Sequence, residues 1–424
     1  MLPGFFDLRK VSDLAPNTQR TDDCFRCGLR ETVASPCIEP FGEFRKGILN
    51  IGEAPGEVED ARGRPWQGKM GQMLERAYEK LGVGLFEDCL NINAVNCRPA
   101  DKQGSNRAPA SKEVVCCRCN VLRVIEERRP HVIVLLGGVA VESVIGARWK
   151  KDLKGITRWR GWTIPDRDLN AWVCPTFHPS YVGRSGEKGV ERLVWMSDLA
   201  AALSKVEDSL PVFGAEREKV FVLDSLHSLR DMAKDGRLVA IDYETTGLKP
   251  YAEGHQVVCA SVAGDFGEEE SSFAFAIPDS ERERRPLLDL LGSKRVGKIA
   301  QNIKFEDTWS AVVLRQQVHG WVWDTMLASH VLDNRQDVSG LKFQVYVNFG
   351  VVDYSSEIEF YLGSDGGTNG KNRVADLLNN PRDRERLLVY CGMDALFTYR
   401  LAKRQMLRMG VKEKDLLMRG GFSL

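Results

Sequence analysis

The stretch "KGILNIGEAPG", residues 46–56, is a short apolar run that breaks into glycine and proline. Apolar runs of about four to eight residues bounded by turn formers read as buried strands running into loops. "HVIVLLGG", 131–138, repeats the pattern. Between them "MGQMLERAYEKLG", 70–82, carries apolar residues at helical spacing and closes on glycine. Strands alternating with helices predict an α/β fold for this part of the chain.

The 424 residues exceed the ~100–200 of one domain. A charged stretch with Pro and Gly, "SKVEDSLPVFGAEREK" at 204–219, divides two patterned regions. We expect one domain over 1–205, a linker over 206–218, a second domain over 219–410 and a tail over 411–424. In the second region "RLVAIDYETTG" and "HQVVCASVAG" read as strands; "RPLLDLLG", "DTMLASHVLD" and "RERLLVYCGMDALFTYRLAKRQM" read as helices. It is a second α/β unit, and "SDGGTNGKN", 364–372, reads as a mobile loop.

Composition is that of a globular protein, 43% hydrophobic and 28% charged. The N-terminus has no apolar run long enough for a signal peptide or membrane span, so a cytoplasmic protein with no membrane partner is expected. In a reducing compartment the eleven cysteines are thiols or metal ligands before they are disulfides. Charge is balanced, 59 basic against 59 acidic residues, with 31 against 28 up to residue 210 and 28 against 31 beyond. No global basic field advertises nucleic acid, although a local groove suffices to grip phosphates.

Cys24 and Cys27 form a C-x-x-C in "DDCFRCGL", which is weak without a second pair. Cys97 and the run Cys116, Cys117, Cys119 of "EVVCCRCNVL" are the nearby suppliers. At ~100° per residue the apolar face of that helix is defined by Val114, Val115, Val121, Leu122, Val124 and Ile125. Cys117 lies ~80° from its centre, Cys119 ~120°, and Cys116 almost opposite. Helix geometry therefore favours Cys117 as the inward thiol.

The segments "CFRCGL", "IGEAPGEVEDARGRPWQGKMGQML", "NINAVNCRP", "NRAPASKEVVCC", "VIVLLGGVA" and "PTFHPSY" occur in family order over the first ~200 residues. On them this half resembles the family 4 uracil-DNA glycosylases, which carry a four-cysteine iron–sulfur cluster. The resemblance implies Cys24, Cys27, Cys97 and Cys117 as ligands of a 4Fe-4S cluster, with zinc as the runner-up metal. Asn106, Arg107, Pro109 and Glu113 fill the family motif that ends on Cys117. It implies a flipped uracil, His178 as the donor that stabilises the departing base, and Asn93 as reader of the uracil edge. Glu53 would place or activate water. Trp66 would be a stacking wall, with Gly52, Gly68, Gly71 and Ser180 as backbone or phosphate contacts. Trp66 stands where Phe is usual, Gln67 where an aliphatic is, and Asn96 where Lys is common. The Cys97–Cys117 interval is also longer than usual. These departures point to a reshaped base pocket.

In the second half Asp242 and Glu244 are i and i+2, which puts both carboxylates on one face of a strand. Carboxylates that close repel unless a cation joins them. Tyr390 and Asp394 are i and i+4, stacked on one helical face. Asn302 precedes Glu306 by four residues in "KIAQNIKFEDTW". "DYETTGL", "AQNIKFED", "WDTMLASHVLD", "SGLKFQVYVNFG" and "YCGMDALFTYRL" match, in order, the 3′–5′ proofreading exonuclease domain of family A DNA polymerases, the DEDDy type of the ribonuclease H-like fold. The resemblance implies two-metal phosphodiester hydrolysis by two Mg²⁺ or Mn²⁺. Asp242, Glu244 and Asp394 would be metal ligands, Tyr390 would orient water, and Asn302 would contact substrate. The family's remaining acid is usually Asp; here Glu306 fills that position, ahead of its neighbour Asp307. A ribonuclease D-like RNA exonuclease is the related alternative.

The expected partner is DNA, uracil-containing, single-stranded or at 3′ ends. The chain runs about 30 residues past Asp394, too few for palm, fingers and thumb, so a polymerase partner would be a separate chain. This fusion has the architecture of a phage or mobile-element protein. The rival expectations are a glycosylase for a modified pyrimidine and a non-catalytic DNA-binding accessory to a polymerase.

Overall fold

The computed structural model describes residues 26–186, 189–212, 214–233, 236–267, 269–363 and 370–418. Cys24, most of the 364–372 loop and the end of the tail lie outside the described residues. The chain divides between 212 and 213 into two compact units, with residues 346–352 grouping with the first.

The first unit is built on a five-stranded sheet: β1 Ile48–Gly52, β2 Cys89–Asn93, β3 Val132–Leu136, β4 Ile164–Asp166 and β5 Ala171–Thr176, ordered β2-β1-β3-β5-β4. All neighbours are parallel except β4 with β5. Every residue of β1, β2 and β3 is buried, which is why β1 and β3 read as apolar runs. The predicted helix between the first two strands spans Lys69–Lys80 and buries Leu74, Ala77 and Tyr78. Polar groups inside the sheet are paired: Tyr78 donates to Asn50 Oδ1 at 2.6 Å, and Asn50 Nδ2 to Asn91 Oδ1 at 3.0 Å, across the β1–β2 register. The strand order reverses direction at β1, and the loops after β1, β2, β3 and β5 open at the carboxyl ends. That is where open α/β sheets bind ligands.

The second unit has a six-stranded sheet ordered β11-β10-β7-β8-β9-β6. Its strands are β6 Val220–Val222, β7 Leu238–Thr245, β8 Val257–Asp265, β9 Glu270–Ala276, β10 Gly297–Ala300 and β11 Trp321–Asp324. β7, β8 and β9 form an antiparallel meander, and β10, β11 and β6 add in parallel. Period-2 alternation splits β7 cleanly: Val239, Ile241 and Tyr243 enter one core, Leu238 and Ala240 the other. The 28-residue helix Pro381–Arg408 covers the second face, burying Ala395, Leu396, Tyr399, Ala402 and Met406 there. Gly392 permits its close approach: a Cβ at that position would lie 2.3 Å from Val220 Cγ1. The three helices expected in this half occur as Glu281–Gly292, Thr325–Leu332 and Pro381–Arg408. Among the described residues no helix is long and apolar enough to cross a membrane.

Candidate active sites

The first site gathers at the ends of β1, β2 and β5. Gly52 closes β1 and Asn93 closes β2 as its register partner. A Cβ on Gly52 would fall 2.4 Å from Asn93 Oδ1 and 2.8 Å from Trp66 Cζ2, so only glycine leaves room where these groups converge. The Trp66 ring stands 5.7 Å from the His178 imidazole, centre to centre, at 31°. Trp66 holds a left-handed backbone, φ 60°, and is buried.

His178 caps the helix Pro179–Arg184 that follows β5. The Ser180 N–H donates to its Nδ1 at 3.2 Å, and the Ser180 hydroxyl lies 2.8 Å from the same nitrogen. A backbone N–H can only donate, so Nδ1 is the acceptor and the neutral ring carries its proton on Nε2. Burial, aided by the nearby Arg184 charge, pushes the imidazole down to about 4, so the ring is neutral at ordinary pH. The site therefore holds an N–H donor without full positive charge. Glu53, in the loop after β1, is half-buried; burial raises its carboxyl above the usual range and Arg184 opposes the rise.

Cys27, Cys97 and Cys117 share one small apolar cluster with Leu29, Val95 and Val114. Cys97 and Cys117 are buried, while Cys116 and Cys119 of the same helix are half-buried. The inward choice of Cys117 from helix geometry holds; Val115, counted with the apolar face, is instead exposed, because the face turns toward Glu113, Asn120 and Val121. The Cys37 N–H donates to Cys97 Sγ at 3.2 Å and the Asn96 N–H to Cys117 Sγ at 3.5 Å. Amides aimed at sulfur favour thiolate and tune sulfur-ligated metal, so these thiols fit a thiolate-bound group. Arg107 grips Glu113 with both guanidinium nitrogens, at 2.9 and 2.5 Å, and Glu113 accepts the Ala110 N–H at 2.7 Å. This bracket caps the start of the helix Ser111–Arg128, which carries Cys117. Asn96 joins the two regions, its Nδ2 donating to the Asn93 carbonyl at 3.0 Å.

The second site lies on the face of β7 under the long helix. Asp242, Glu244 and Asp394 each offer an oxygen within 4.8 Å of the others, a donor set suited to a hard divalent cation. Burial, then the Asp394 charge, raises Asp242 well above the carboxylate range; the same causes lift Glu244 to about 8. Lys342 Nζ and the Tyr354 hydroxyl both donate to Asp394 Oδ1, each at 2.5 Å. Tyr390, one turn before Asp394, is buried, and burial keeps its phenol protonated. Glu306 is buried outside the three-carboxylate set. Its Oε2 has no hydrogen-bond partner among the described residues, and burial raises its carboxyl. Asp307 is engaged elsewhere, accepting the Trp321 indole N–H at 2.8 Å. Asn302 takes a left-handed φ of 70° and donates its backbone N–H to Asp324 Oδ1 at 3.2 Å.

Of the residues expected from sequence, Gly52, Trp66, Asn93, His178 and Ser180 come together in the first site, Cys27, Cys97 and Cys117 in a thiol cluster, and Asp242, Glu244 and Asp394 in the second site; Glu306 lies outside that carboxylate set and Cys24 outside the described residues. Sequence reading missed Arg184, Lys342, Tyr354 and Asp324. Asp324 accepts the Ile303, Met326 and Leu327 N–H groups and so anchors two helix starts beside the acids. Lys342 and Tyr354 carry no spacing signal; only chain folding brings them to Asp394.

A family model described as the uracil DNA glycosylase superfamily matches residues 39–201, and one described as a 3′-5′ exonuclease matches 218–409. The type-4 uracil-DNA glycosylase of Thermotoga maritima is 33% identical over 190 residues, covering 45% of this chain and 93% of that protein. Its namesake from Pyrobaculum aerophilum is 32% identical over 183 residues, covering 42% and 85%. Among solved structures, Brucella melitensis NrnC bound to pGG aligns with 47% of this chain and 85% of its own at 18% identity. Its TM-score of 0.31 is too low to bear on function. Through its first half this chain belongs to the type-4 uracil-DNA glycosylases, and a 3′–5′ exonuclease domain follows in the same polypeptide.

Proposed function

We propose that this chain is a two-site DNA-processing enzyme, excising uracil in its first unit and shortening strands from the 3′ end in its second. The observation that carries the reading is His178, its Nδ1 accepting the Ser180 N–H and its ring 5.7 Å from that of Trp66, which with Asn93 converges on Gly52. A flipped pyrimidine needs a ring to stack on, an amide to match its edge, and a donor that strengthens as charge reaches the leaving base. Trp66, Asn93 and His178 supply these in turn. Ser180 holds the tautomer, and Glu53, ionised, orients the attacking water. An oligonucleotide with one uracil should yield alkali-labile abasic sites; none forming would sink the assignment.

For the second site, Asp242, Glu244 and Asp394 are the ligands for Mg²⁺ or Mn²⁺, with Glu306 as the fourth acid. Asp307, whose Oδ1 accepts the Trp321 indole N–H, is the less suited of the two neighbouring acids. Bound divalent ions would supply a deprotonated water and stabilise the leaving 3′ oxygen. Tyr390 positions that water. A 5′-labelled strand should shorten with Mn²⁺ and stay whole with chelator.

Cys24, Cys27, Cys97 and Cys117 form the ligand set for a 4Fe-4S cluster, with zinc as the alternative metal. The two N–H···S bonds support it. Anaerobically purified protein should be brown and contain iron in excess of zinc. A separate polymerase chain remains the proposed beneficiary of 3′ trimming. A second reading, a glycosylase for a modified pyrimidine, is favoured by one observation: Trp66 Nε1 is buried with no hydrogen-bond partner among the described residues, so it is available to an extra acceptor on the base. Mass spectrometry of released bases separates the two.

A further inference from the structure

Lys342, on the helix Leu341–Phe349, sets its Nζ 2.5 Å from Asp394 Oδ1. The ammonium also lies 3.7 Å from the centre of the Tyr354 ring and 4.2 Å from that of Tyr390. Its side chain is 19% exposed. Among the described residues it is the one cation paired with the Asp242, Glu244, Asp394 cluster. Three carboxylates whose oxygens approach within 4.8 Å repel one another unless positive charge stands among them. In the protein without metal, Lys342 supplies that charge from its own chain, and two aromatic faces hold it there.

We propose that Lys342 is a tethered counter-ion that competes with divalent metal for the exonuclease carboxylates and so sets how much metal the site requires. The inference rests on the exonuclease reading and deepens it. Two effects of the side chain oppose each other. As a donor it orients Asp394, and such outer contacts are worth about 10- to 100-fold in metal affinity. As a cation it repels a divalent ion that shares the same carboxylate. Coulomb energy scales with the product of charges over distance, and in a half-dry site the repulsion exceeds the orienting gain. The orienting role is also duplicated, because the Tyr354 hydroxyl holds the same oxygen at 2.5 Å. Removing the charge therefore tightens metal binding, opposite to the outcome for an ordinary supporting residue.

The test is a Mn²⁺ titration of the full chain, reading free ion by electron paramagnetic resonance, for wild type, Lys342→Met, Lys342→Arg and Asp242→Ala. Lys342→Met should bind Mn²⁺ at least about tenfold more tightly, and Lys342→Arg should stay near wild type. The Mn²⁺ concentration for half-maximal strand shortening should fall in parallel. In chelator Lys342→Met should melt below wild type and gain more on adding Mn²⁺; Lys342→Gln serves if the methionine variant does not fold. Unchanged or weaker binding in both neutral variants overturns the proposal. Absence of Mn²⁺ binding in wild type and every variant overturns the exonuclease reading, and the inference with it.

Discussion

The two sites solve opposite electrostatic problems. The pocket of the first unit is assembled from the ends of separate parallel strands and keeps its key donor uncharged, with burial holding His178 down to about 4. The site of the second unit concentrates acid on one strand and one helix, and the same burial drives Glu244 up to about 8. Burial disfavours charge in both, so a base and an acid move in opposite directions for one reason. A site that must support an anionic leaving base gains from a neutral donor already in place. A site proposed to bind divalent cations gains from carboxylates held close together, whose mutual repulsion such cations relieve.

The sharpest way to break this contrast is to remove one carboxylate. Asp242→Ala should lower strand shortening by at least about a thousandfold, while uracil release stays within about twofold of wild type. Single-turnover assays on the same preparation measure both. In the reverse direction, His178→Ala should cost uracil release about 100- to 1,000-fold and leave strand shortening alone.

The pH profile of uracil release sharpens the comparison further. The proposed mechanism requires Glu53 ionised and His178 neutral. Glu53 titrates above the usual carboxylate range and His178 near 4, so activity is lost as pH falls through the Glu53 value, before His178 protonates. Glu53→Gln should give a lower rate with that acid limb gone; an unchanged limb would assign it elsewhere. A smaller effect is expected of Ser180→Ala, which removes the hydroxyl 2.8 Å from Nδ1 but leaves the backbone N–H that fixes the tautomer: a loss in rate of no more than about tenfold with little change in substrate binding. The smallest is Trp66→Phe. It keeps a stacking wall but removes the indole N–H, so base preference should shift by no more than about tenfold.

Local pattern carried much of this. Buried strands β1 and β3 were visible as apolar runs, and the β7 carboxylates as an alternation of two. The i, i+4 pair Tyr390 and Asp394 was legible because helical spacing is short-range. Cys117 could be selected among three neighbouring thiols because an apolar face gives a direction, although Val115 misled that face. Motif position favours Glu306 over Asp307 in the sequence; the fold adds that the indole of Trp321, fourteen residues on, donates to Asp307.

What the amino-acid order alone determined is every feature whose physics lies within a few residues: strand runs, helix faces, carboxylates two apart, and the two motif sets that name the families. Tertiary structure alone decided the burial that keeps His178 neutral, the glycine-sized gap at Gly52, and the meeting of Lys342 and Tyr354 on one oxygen of Asp394, 52 and 40 residues away along the chain. Desolvation and charge proximity depend on distances through space, and no spacing along a chain encodes those.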